Sequence, residues 1–254
     1  MKKTVSLLIA LLLTSATFAQ TQIIAHRGYH AKNNSPHNSL AALRNAQDLR
    51  VYGSECDINE TADGWLVVAH GPNHATYNIQ NTDIKTLRMQ LLKNGEVLPT
   101  IGEYLETVKR RPETKLIIEI KNHSTPKRET EVVKQVLKAV KYHKLQDHVE
   151  YIAFRQHVCN ELIAMGGKDI KVAYLNGDLS PEYCKELGYT GVDYNINVLK
   201  KRPEWIHDCK RLGLTVNAWT VNNTEDLQWC VDQGVDFITT DNPEEAKRII
   251  EQKK

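Results

Sequence analysis

The stretch Lys115-Leu116-Ile117-Ile118-Glu119-Ile120-Lys121 combines an apolar run with two charged residues near its end, Glu119 and Lys121. A short run of Leu and Ile without polar alternation is typical of a strand buried on both faces. Glu119 and Lys121 are two residues apart, so both lie on the same face of such a strand. The stretch therefore predicts a parallel strand whose carboxyl end carries polar chemistry.

Seven similar apolar runs occur along the chain, and amphipathic helical patterns separate them. Strands are predicted at Ile23–Ala25, Gly53–Ile58, Lys115–Ile120, Val149–Phe154, Lys171–Leu175, Gly191–Ile196, Leu214–Val221 and Asp236–Thr240. Helices are predicted at Asn38–Leu49, Ile101–Val108, Glu131–Val140, His157–Met165, Pro181–Leu187, Pro203–Leu212, Thr224–Gln233 and Pro243–Glu251. Alternating strands and helices in a chain of 254 residues predict an α/β fold, the (β/α)₈ TIM barrel.

A doubly wound open sheet is the competing architecture. It needs a glycine-rich phosphate loop after the first strand, and His26-Arg27-Gly28 is no such loop. One irregularity interrupts the barrel pattern, because Thr61-Ala62-Asp63-Gly64 is typical of a tight turn. We therefore expect a small β-hairpin after the second strand, with its second arm bringing His70 over the barrel mouth.

The stretch Pro72–Pro99 follows this hairpin and is short. It leaves little room for a cap domain, so we expect a modest lid, with His74 and Tyr77 as candidate lid residues.

The amino terminus has the order of a secretory signal peptide. Met1-Lys2-Lys3 is charged, Val5–Leu13 is apolar, and small residues lead to Ala19. The apolar run is shorter than the roughly 20 residues that span a bilayer. The sequence thus predicts a cleaved signal at residues 1–19 and a barrel domain at residues 20–254. It also predicts export to the periplasm, with secretion as the alternative, and no stable membrane insertion after cleavage.

Charge and cysteine content exclude other classes of protein. The formal net charge is +2, with Lys and Arg scattered among Asp and Glu, so no nucleic-acid partner is expected. The five cysteines are widely spaced, which favours small buried side chains over a disulfide framework or a zinc site. The sequence leaves the oligomeric state open.

Charged and ionisable residues gather at the predicted strand ends, where barrel active sites are built. Three carboxylates, those of Glu55, Asp57 and Glu119, would repel one another without a divalent cation, and oxygen-only ligands favour Ca²⁺ or Mg²⁺. Two cationic side chains could bind the oxygens of a phosphate, and two histidines could act as general acid and base. These four residues are Arg27 and Lys121, then His26 and His70.

This ordered set resembles the glycerophosphodiester phosphodiesterase family. The family's pattern is His-Arg-Gly, Pro-Glu-Asn-Thr/Ser, Glu-x-Asp, a His that ends the next arm, and Glu-x-Lys. The corresponding residues here are His26–Gly28, Pro36–Ser39, Glu55–Asp57, His70 and Glu119–Lys121, with further matches at Leu98–Ile101, Asn217–Asn222 and Thr240–Pro243.

The resemblance implies hydrolysis of a small-molecule glycerophosphodiester to glycerol 3-phosphate and an alcohol, in a TIM barrel that holds one divalent metal. It also implies roles for eight residues: Glu55, Asp57 and Glu119 as metal ligands, His26 and His70 as the acid/base pair, Arg27 and Lys121 on the phosphate, and Trp219 lining the pocket.

Two positions depart from the family's pattern. His37 stands where the family has Glu, and Gly71 stands where an Asp commonly follows the second histidine. The alternatives are a phosphodiesterase of the lysophospholipase D or sphingomyelinase D type, and a barrel that binds a phosphorylated ligand without cleaving it. A phospholipase C of the phosphatidylinositol type fits the metal-carboxylate set less well.

Overall fold

Eight parallel strands close into a barrel in the computed structural model, which describes residues 20–253. The predicted signal peptide lies outside the described residues. The described range contains eleven strands: β1 Gln22–Ala25, β2 Gly53–Glu60, β3 Leu66–Val68, β4 Asn73–His74, β5 Tyr77–Asn78, β6 Lys115–Ile120, β7 Val149–Ala153, β8 Val172–Tyr174, β9 Gly191–Asn195, β10 Thr215–Trp219 and β11 Phe237–Thr240. The ring consists of β1, β2 and β6 to β11, whereas β3 pairs antiparallel with β2, and β4 and β5 form a separate two-stranded sheet. Strand β1 pairs in parallel with both β2 and β11, which closes the ring and confirms the predicted TIM barrel over the open sheet.

Helices connect the barrel strands and cover the outside of the ring. They are α1 Leu40–Leu49, α2 Ile84–Arg88, α3 Ile101–Arg110, α4 Pro126–His143, α5 Gln156–Gly166, α6 Pro181–Glu186, α7 Ile196–Lys201, α8 Glu204–Leu212, α9 Thr224–Gln233 and α10 Pro243–Gln252. All eight predicted helices are present; α9 has the predicted bounds, and the other seven are shifted at one or both ends. Helix α4 begins at Pro126 because the Thr125 side chain accepts a hydrogen bond from the backbone N–H of Arg128.

Helices α2 and α7 were not predicted. Each is a helix of five or six residues without a repeated apolar stripe, and a capping side chain marks its start. The Asp83 carboxylate accepts a hydrogen bond from the Thr86 N–H at the start of α2, and the Asn195 amide oxygen accepts one from the Asn197 N–H at the start of α7. Strand β9 consequently ends at Asn195 rather than continuing to Ile196.

The predicted hairpin is confirmed. Strand β2 runs on to Glu60 and pairs with the antiparallel strand β3 through Ile58 and Val68. The Thr61 N–H donates to the Trp65 carbonyl across the turn at 2.8 Å. The chain leaving β3 then delivers His70 to the barrel mouth.

Two apolar layers hold the barrel. The larger one lies between the strands and the surrounding helices, and a smaller one fills the barrel interior with Ile24, Ile117, Ile152 and Leu175. All five cysteines are buried and unpaired, as the sequence predicted. Among the described residues, no helix is long and apolar enough to cross a membrane.

Gly28 allows the turn after β1 to lie directly on helix α1. Its φ is +80°, and a Cβ there would lie 2.7 Å from the Cβ and the carbonyl carbon of Ala42. The Tyr29 N–H donates to the Ala42 carbonyl at 2.9 Å, so the turn and the helix are also hydrogen-bonded. This contact sets the height at which the two preceding residues, His26 and Arg27, enter the mouth.

We expect Gly28→Ala to destabilise the protein much more than Gly64→Ala. Gly64 also has a positive φ, of +84°, but a Cβ added there would meet no atom within 4 Å, so the control carries only the left-handed backbone penalty of about 1 to 2 kcal/mol. Overpacking against α1 adds roughly a further 1 to 3 kcal/mol at Gly28. Urea unfolding followed by tryptophan fluorescence measures both, and equal losses would show that the contact with Ala42 is not tight.

Candidate active site

Three carboxylates meet at the carboxyl ends of β2 and β6. The parallel register places Asp57 beside Glu119, and Glu55 lies two residues before Asp57 on the same face. One carboxylate oxygen from each of the three lies within 4.8 Å of the others, and all three residues are buried. The register alone thus brings together the predicted ligand set.

The crowding of these acids shifts their proton affinities in opposite directions. Burial raises the pKa of Glu55 well above its usual value, and the charges of Asp57 and Glu119 raise it further. Burial and Asp57 together raise the pKa of Glu119 to about 7. Burial would raise the pKa of Asp57 as well, but Lys121 and Arg27 outweigh it and hold that pKa below its ordinary value.

Two cations reach into the cluster from neighbouring strands. The Lys121 Nζ lies 2.6 Å from Glu119 Oε1 and 3.2 Å from Asp57 Oδ1. The Arg27 Nε lies 3.3 Å from Asp57 Oδ2. The backbone of Arg27 is left-handed, with φ of +54°, and its N–H donates to Glu55 Oε2 at 2.7 Å. Both side chains therefore contact the acids and also line the cavity at the barrel mouth.

Asn38 ties the β1–α1 loop to the acid cluster. Its side-chain N–H donates to Asp57 Oδ2 at 2.7 Å, and its oxygen accepts from the Asp57 backbone N–H at 3.1 Å. Its own backbone N–H donates to the Arg27 carbonyl at 3.0 Å. Asn38 thus holds Arg27 and Asp57 in a fixed relation.

His26 is held by a carboxylate from the opposite end of the chain. Its Nδ1 lies 2.8 Å from Asp241 Oδ1, and the His30 Nε2 lies 3.0 Å from the same oxygen. Asn222 donates to Asp241 Oδ2 at 2.6 Å. Burial would raise the pKa of Asp241, but the hydrogen bonds from His26 and His30 keep it well below its ordinary value. Asp241 is therefore a carboxylate, His26 donates its Nδ1 proton to it, and the His26 Nε2 is left for other partners.

His37, the departure from the family's pattern, stacks on His30. The ring centroids are 3.6 Å apart and the planes are inclined by 20°. Partial desolvation and the nearby His30 and Arg27 lower the pKa of His37 to about 4, so it is neutral near pH 7. A neutral ring stands where the family has an acid.

His70 faces the cluster from the hairpin arm. Its Nδ1 donates to the Gly71 carbonyl at 3.2 Å, which leaves its Nε2 free. Partial desolvation lowers the pKa of His70, and Lys121 and Arg27 lower it further against the opposing effect of Asp57. The backbone just before His70 is held by Asn59, whose side chain donates to the Ala69 carbonyl at 2.8 Å.

These side chains surround one small cavity of about 90 Å³ at the mouth. Trp219 and Phe154 form its apolar wall, with ring centroids 5.6 Å apart and planes at 85°. The Trp219 Nε1 donates to the Asp193 carbonyl at 2.7 Å, which fixes the ring. A larger cavity of about 440 Å³ opens at the other end of the barrel, beside Lys115 and Glu150, but those two residues pair with each other.

The residues present fit a hard divalent cation. Glu55 Oε1 is buried, and no residue in the range 20–253 donates a hydrogen bond to it. Three carboxylates converge, and no sulfur or imidazole ligand completes the group found in this range. An all-oxygen set of this charge suits Ca²⁺ or Mg²⁺ rather than a softer metal.

All eight predicted site residues meet at this mouth, and seven of them line or border the cavity directly. Sequence reasoning did not assign roles to Asn38, His30 or Asp241, although Asn38 and Asp241 stand within quoted motifs. Asp241 follows the end of a predicted strand and Asn38 begins a predicted helix, and these boundary positions are the signal that could have found them. The candidate lid residues do not reach the site: His74 Nε2 donates to the Gln90 carbonyl at 2.7 Å, and Tyr77 is exposed.

Comparisons with known proteins agree with this geometry. Residues 26–245 match the sequence model of the glycerophosphoryl diester phosphodiesterase family. A glycerophosphodiester phosphodiesterase of Caldanaerobacter subterraneus subsp. tengcongensis is 26% identical over 246 residues, which is 91% of this chain and 98% of the relative. The crystal structure of a glycerophosphodiester phosphodiesterase from Parabacteroides distasonis superimposes with a TM-score of 0.90 and 42% identity, covering 92% of this chain and 98% of that one.

A more distant structure, an Oleispira antarctica phosphodiesterase in complex with its product sn-glycerol-3-phosphate, shares the fold with a TM-score of 0.79 at 22% identity, covering 91% of this chain and 97% of that one. Eight parallel strands with charged side chains gathered at their carboxyl ends define a (β/α)₈-barrel hydrolase. The chain belongs to the glycerophosphoryl diester phosphodiesterase family.

Asp193 lies inside the barrel below this cavity, and it makes stability depend on pH. Burial raises its pKa to about 8, from an ordinary 3.8. The folded protein therefore binds a proton that the unfolded chain releases, and stability is lost as the pH rises from about 4 towards about 8.

We expect the contribution of Asp193 to the free energy of unfolding, measured in urea with EDTA present, to fall across this range. The lowered pKa values of His37, His70 and His123 act in the opposite sense below about pH 6.5, so the test is the difference between wild type and variant. Each such group contributes a slope of up to about 1.4 kcal/mol per pH unit. Asp193→Asn removes the contribution of Asp193, so the free energy of unfolding of the variant rises relative to that of the wild type as the pH increases. The exposed Asp48→Asn control keeps the wild-type pH slope. An unchanged slope in Asp193→Asn would show that Asp193 is already ionised in the folded protein.

Proposed function

We propose that this protein hydrolyses glycerophosphodiesters to sn-glycerol 3-phosphate and an alcohol, with the aid of one divalent cation, Ca²⁺ or Mg²⁺. The observation that carries the proposal is the convergence of three buried carboxylates, two cations and two histidines on one cavity. Family membership supports the reaction class, and the product complex of the Oleispira antarctica phosphodiesterase supports the glycerol 3-phosphate half of the substrate.

Arg27 and Lys121 would bind the non-bridging oxygens of the phosphate. Both already contact the acids on one side and border the cavity on the other, so a phosphate would complete their hydrogen bonds. Trp219 and Phe154 would pack on the glycerol carbons or the leaving group, since they form the apolar wall. The cationic side and the apolar wall of this small cavity together favour a small phosphodiester with a compact alcohol.

Glu55, Asp57 and Glu119 would hold the cation. When bound, the cation offsets the charge of the three acids and polarises the phosphoryl oxygens. Lys121 and Arg27 keep Asp57 ionised, so at least one ligand is ready at neutral pH. The raised pKa values of Glu55 and Glu119 mean that cation binding displaces protons, which makes affinity increase with pH.

The two histidines would move the protons. His70 keeps a free Nε2 and faces the cations Lys121 and Arg27, which disfavour its protonated form, so it suits removal of a proton from the nucleophile. That nucleophile is the substrate's own 2-hydroxyl or a water molecule. His26 is paired with the Asp241 carboxylate, which stabilises an imidazolium, so it suits donation of a proton from Nε2 to the departing alcohol oxygen. With water as the nucleophile, one phosphorus–oxygen bond forms and one breaks, and glycerol 3-phosphate leaves directly. With the 2-hydroxyl as the nucleophile, the same exchange gives a cyclic phosphate, and a water molecule then opens that ring by forming one phosphorus–oxygen bond and breaking another.

The compartment follows from the amino terminus. We infer export because residues 1–19 have the charged, apolar and small-residue order of a signal peptide. The periplasm is the expected destination, where the enzyme would act on products of phospholipid breakdown. Fractionation of cells that express the full chain, with mass determination of the mature amino terminus, tests this.

The central prediction concerns release of glycerol 3-phosphate from glycerophosphocholine and glycerophosphoethanolamine. We expect release with Ca²⁺ or Mg²⁺, loss of release in EDTA, and recovery when the cation is returned. His26→Ala and His70→Ala should each lower kcat by about 10² to 10⁴, the usual contribution of a general acid or base. His207→Ala, an exposed histidine on the outer helix α8, is the control and should retain full activity.

Each failure points to a different alternative. Release from lysophospholipids but not from either glycerophosphodiester would replace the proposal with a lysophospholipase D activity. Binding of glycerol 3-phosphate without hydrolysis of any of these substrates would make the protein a non-catalytic barrel, with His37 as the first residue to restore to Glu.

Asp241→Asn should lower kcat by about 10- to 100-fold with little change in KM, because it orients His26 without touching the substrate. The asparagine cannot balance the charge of a protonated His26, so the alkaline limb of the pH–rate profile, which reports the general acid, should also move. Asp232→Asn, an exposed residue on α9, is the matched control. A fall in kcat without any change in the pH profile would reduce Asp241 to a structural residue.

A further inference from the structure

Exposed apolar side chains concentrate in one part of the molecule. Among residues 20–253, the large hydrophobic side chains that are exposed are Trp65, Tyr77, Met89, Leu91, Val97, Tyr142, Met165 and Tyr183. The first five belong to the hairpin and insertion between β2 and α3, whereas the last three are scattered over the outer helices α4, α5 and α6. Single exposed apolar residues are ordinary, but a local concentration marks an interaction surface.

Three of these side chains form what we call the rim patch: Met89, Leu91 and Val97. Met89 follows the last residue of α2 and is 71% exposed, and Leu91 is 60% exposed. The Leu92 N–H donates to the Glu96 carbonyl at 2.8 Å, which closes a tight turn and brings Val97 alongside Leu91. The rim patch is therefore one continuous piece of backbone folded on itself.

The rim patch lies on the same end of the barrel as the active site. Glu96 pairs with Arg44 at 2.9 Å and accepts from the Ala41 N–H at the start of α1. Arg88 pairs with Glu103 in the first turn of α3. Helices of a TIM barrel begin at the mouth, where the strands end, so these contacts fasten the patch to the rim of the mouth.

Two exposed lysines flank the rim patch. Lys85 and Lys93 are exposed, and neither makes an ion pair with any residue between 20 and 253. Glu96 is neutralised by Arg44. The carboxylates of Asp63 and Asp83 lie at the opposite end of α2 from Met89, where they accept hydrogen bonds from the Ile84 and Thr86 N–H groups. The patch thus combines protruding apolar side chains with unpaired lysines.

We propose that the rim patch docks the protein on the surface of a membrane that contains anionic phospholipid. Met89 and Leu91 enter the headgroup layer, and Lys85 and Lys93 meet the lipid phosphates. Apolar side chains flanked by basic ones are the chemistry of peripheral membrane binding, whereas a buried protein interface is depleted of lysine. Docking leaves the site mouth next to the lipid surface, and it does not depend on the hydrolytic activity.

The test is flotation of the mature protein with vesicles of phosphatidylcholine alone and of phosphatidylcholine with about one third phosphatidylglycerol. We expect binding to the anionic vesicles that weakens with added salt. The double variant Met89→Ser/Leu91→Ser should lower the partition coefficient at least about tenfold, since it removes two large apolar side chains. Lys85→Gln/Lys93→Gln should lower it by a similar factor, at about fivefold per lysine.

The controls separate docking from folding and from turnover. Tyr142→Ser removes an 81% exposed aromatic on α4, remote in sequence from the patch, and should bind like the wild type. Thermal unfolding and hydrolysis of free glycerophosphocholine should be unchanged in both double variants, because neither touches the site. If the wild-type protein binds the vesicles but hydrolyses no glycerophosphodiester, the proposed function is overturned and the docking proposal stands.

Three outcomes would overturn docking. The wild-type protein fails to float with anionic vesicles, the Met89→Ser/Leu91→Ser variant binds as well as the wild type, or binding is insensitive to both salt and the lysine substitutions. Sedimentation velocity tests the other possible occupant, a second copy of the chain. If the protein does not bind vesicles but forms a dimer that the Met89→Ser/Leu91→Ser substitution dissociates, the rim patch is a dimer interface.

Discussion

The packing of three carboxylates at the carboxyl ends of β2 and β6 is the constraint on which the rest of the site depends. Strand register puts Asp57 next to Glu119, and strand pleat puts Glu55 on the same face, so the acids cannot separate without breaking the barrel. Buried like charges of this kind are costly unless they are neutralised. Arg27 and Lys121 offset part of that cost, and the negative charge that they leave uncompensated suits the cluster to a cation.

The compensating groups come from different strands, which gives each of them a second use. Lys121 leaves β6, and Arg27 leaves β1 in a left-handed backbone that Gly28 and helix α1 hold in place. Both cations lower the proton affinity of Asp57 and both border the cavity. The same two side chains therefore carry the charge balance of the acids and, in the proposed function, the recognition of a phosphate.

Barrel closure supplies the other half of the site. Strands β1 and β11 pair although their residues are more than two hundred positions apart in the chain, and the pairing of Ala25 with Thr240 brings His26 against Asp241. His70 arrives instead on a hairpin that leaves the barrel, and its ring hydrogen-bonds to the Gly71 carbonyl rather than to a carboxylate. The two histidines consequently differ in environment, which is the physical basis for giving them different proton-transfer roles.

The sequence by itself determined the eight strands and the hairpin after the second strand, because buried parallel strands and tight turns leave local patterns. It also predicted the charged residues and histidines at the strand ends, whereas Trp219 was assigned only through the resemblance to the family. It could not show that Asn38 bonds both ways to Asp57, that His26 and His30 share Asp241, or that His37 lies flat on His30. Helices α2 and α7 were also missed, since their five and six residues are too few to show a repeated apolar stripe. Those features depend on how distant segments meet when the barrel closes, and only the tertiary structure decides that.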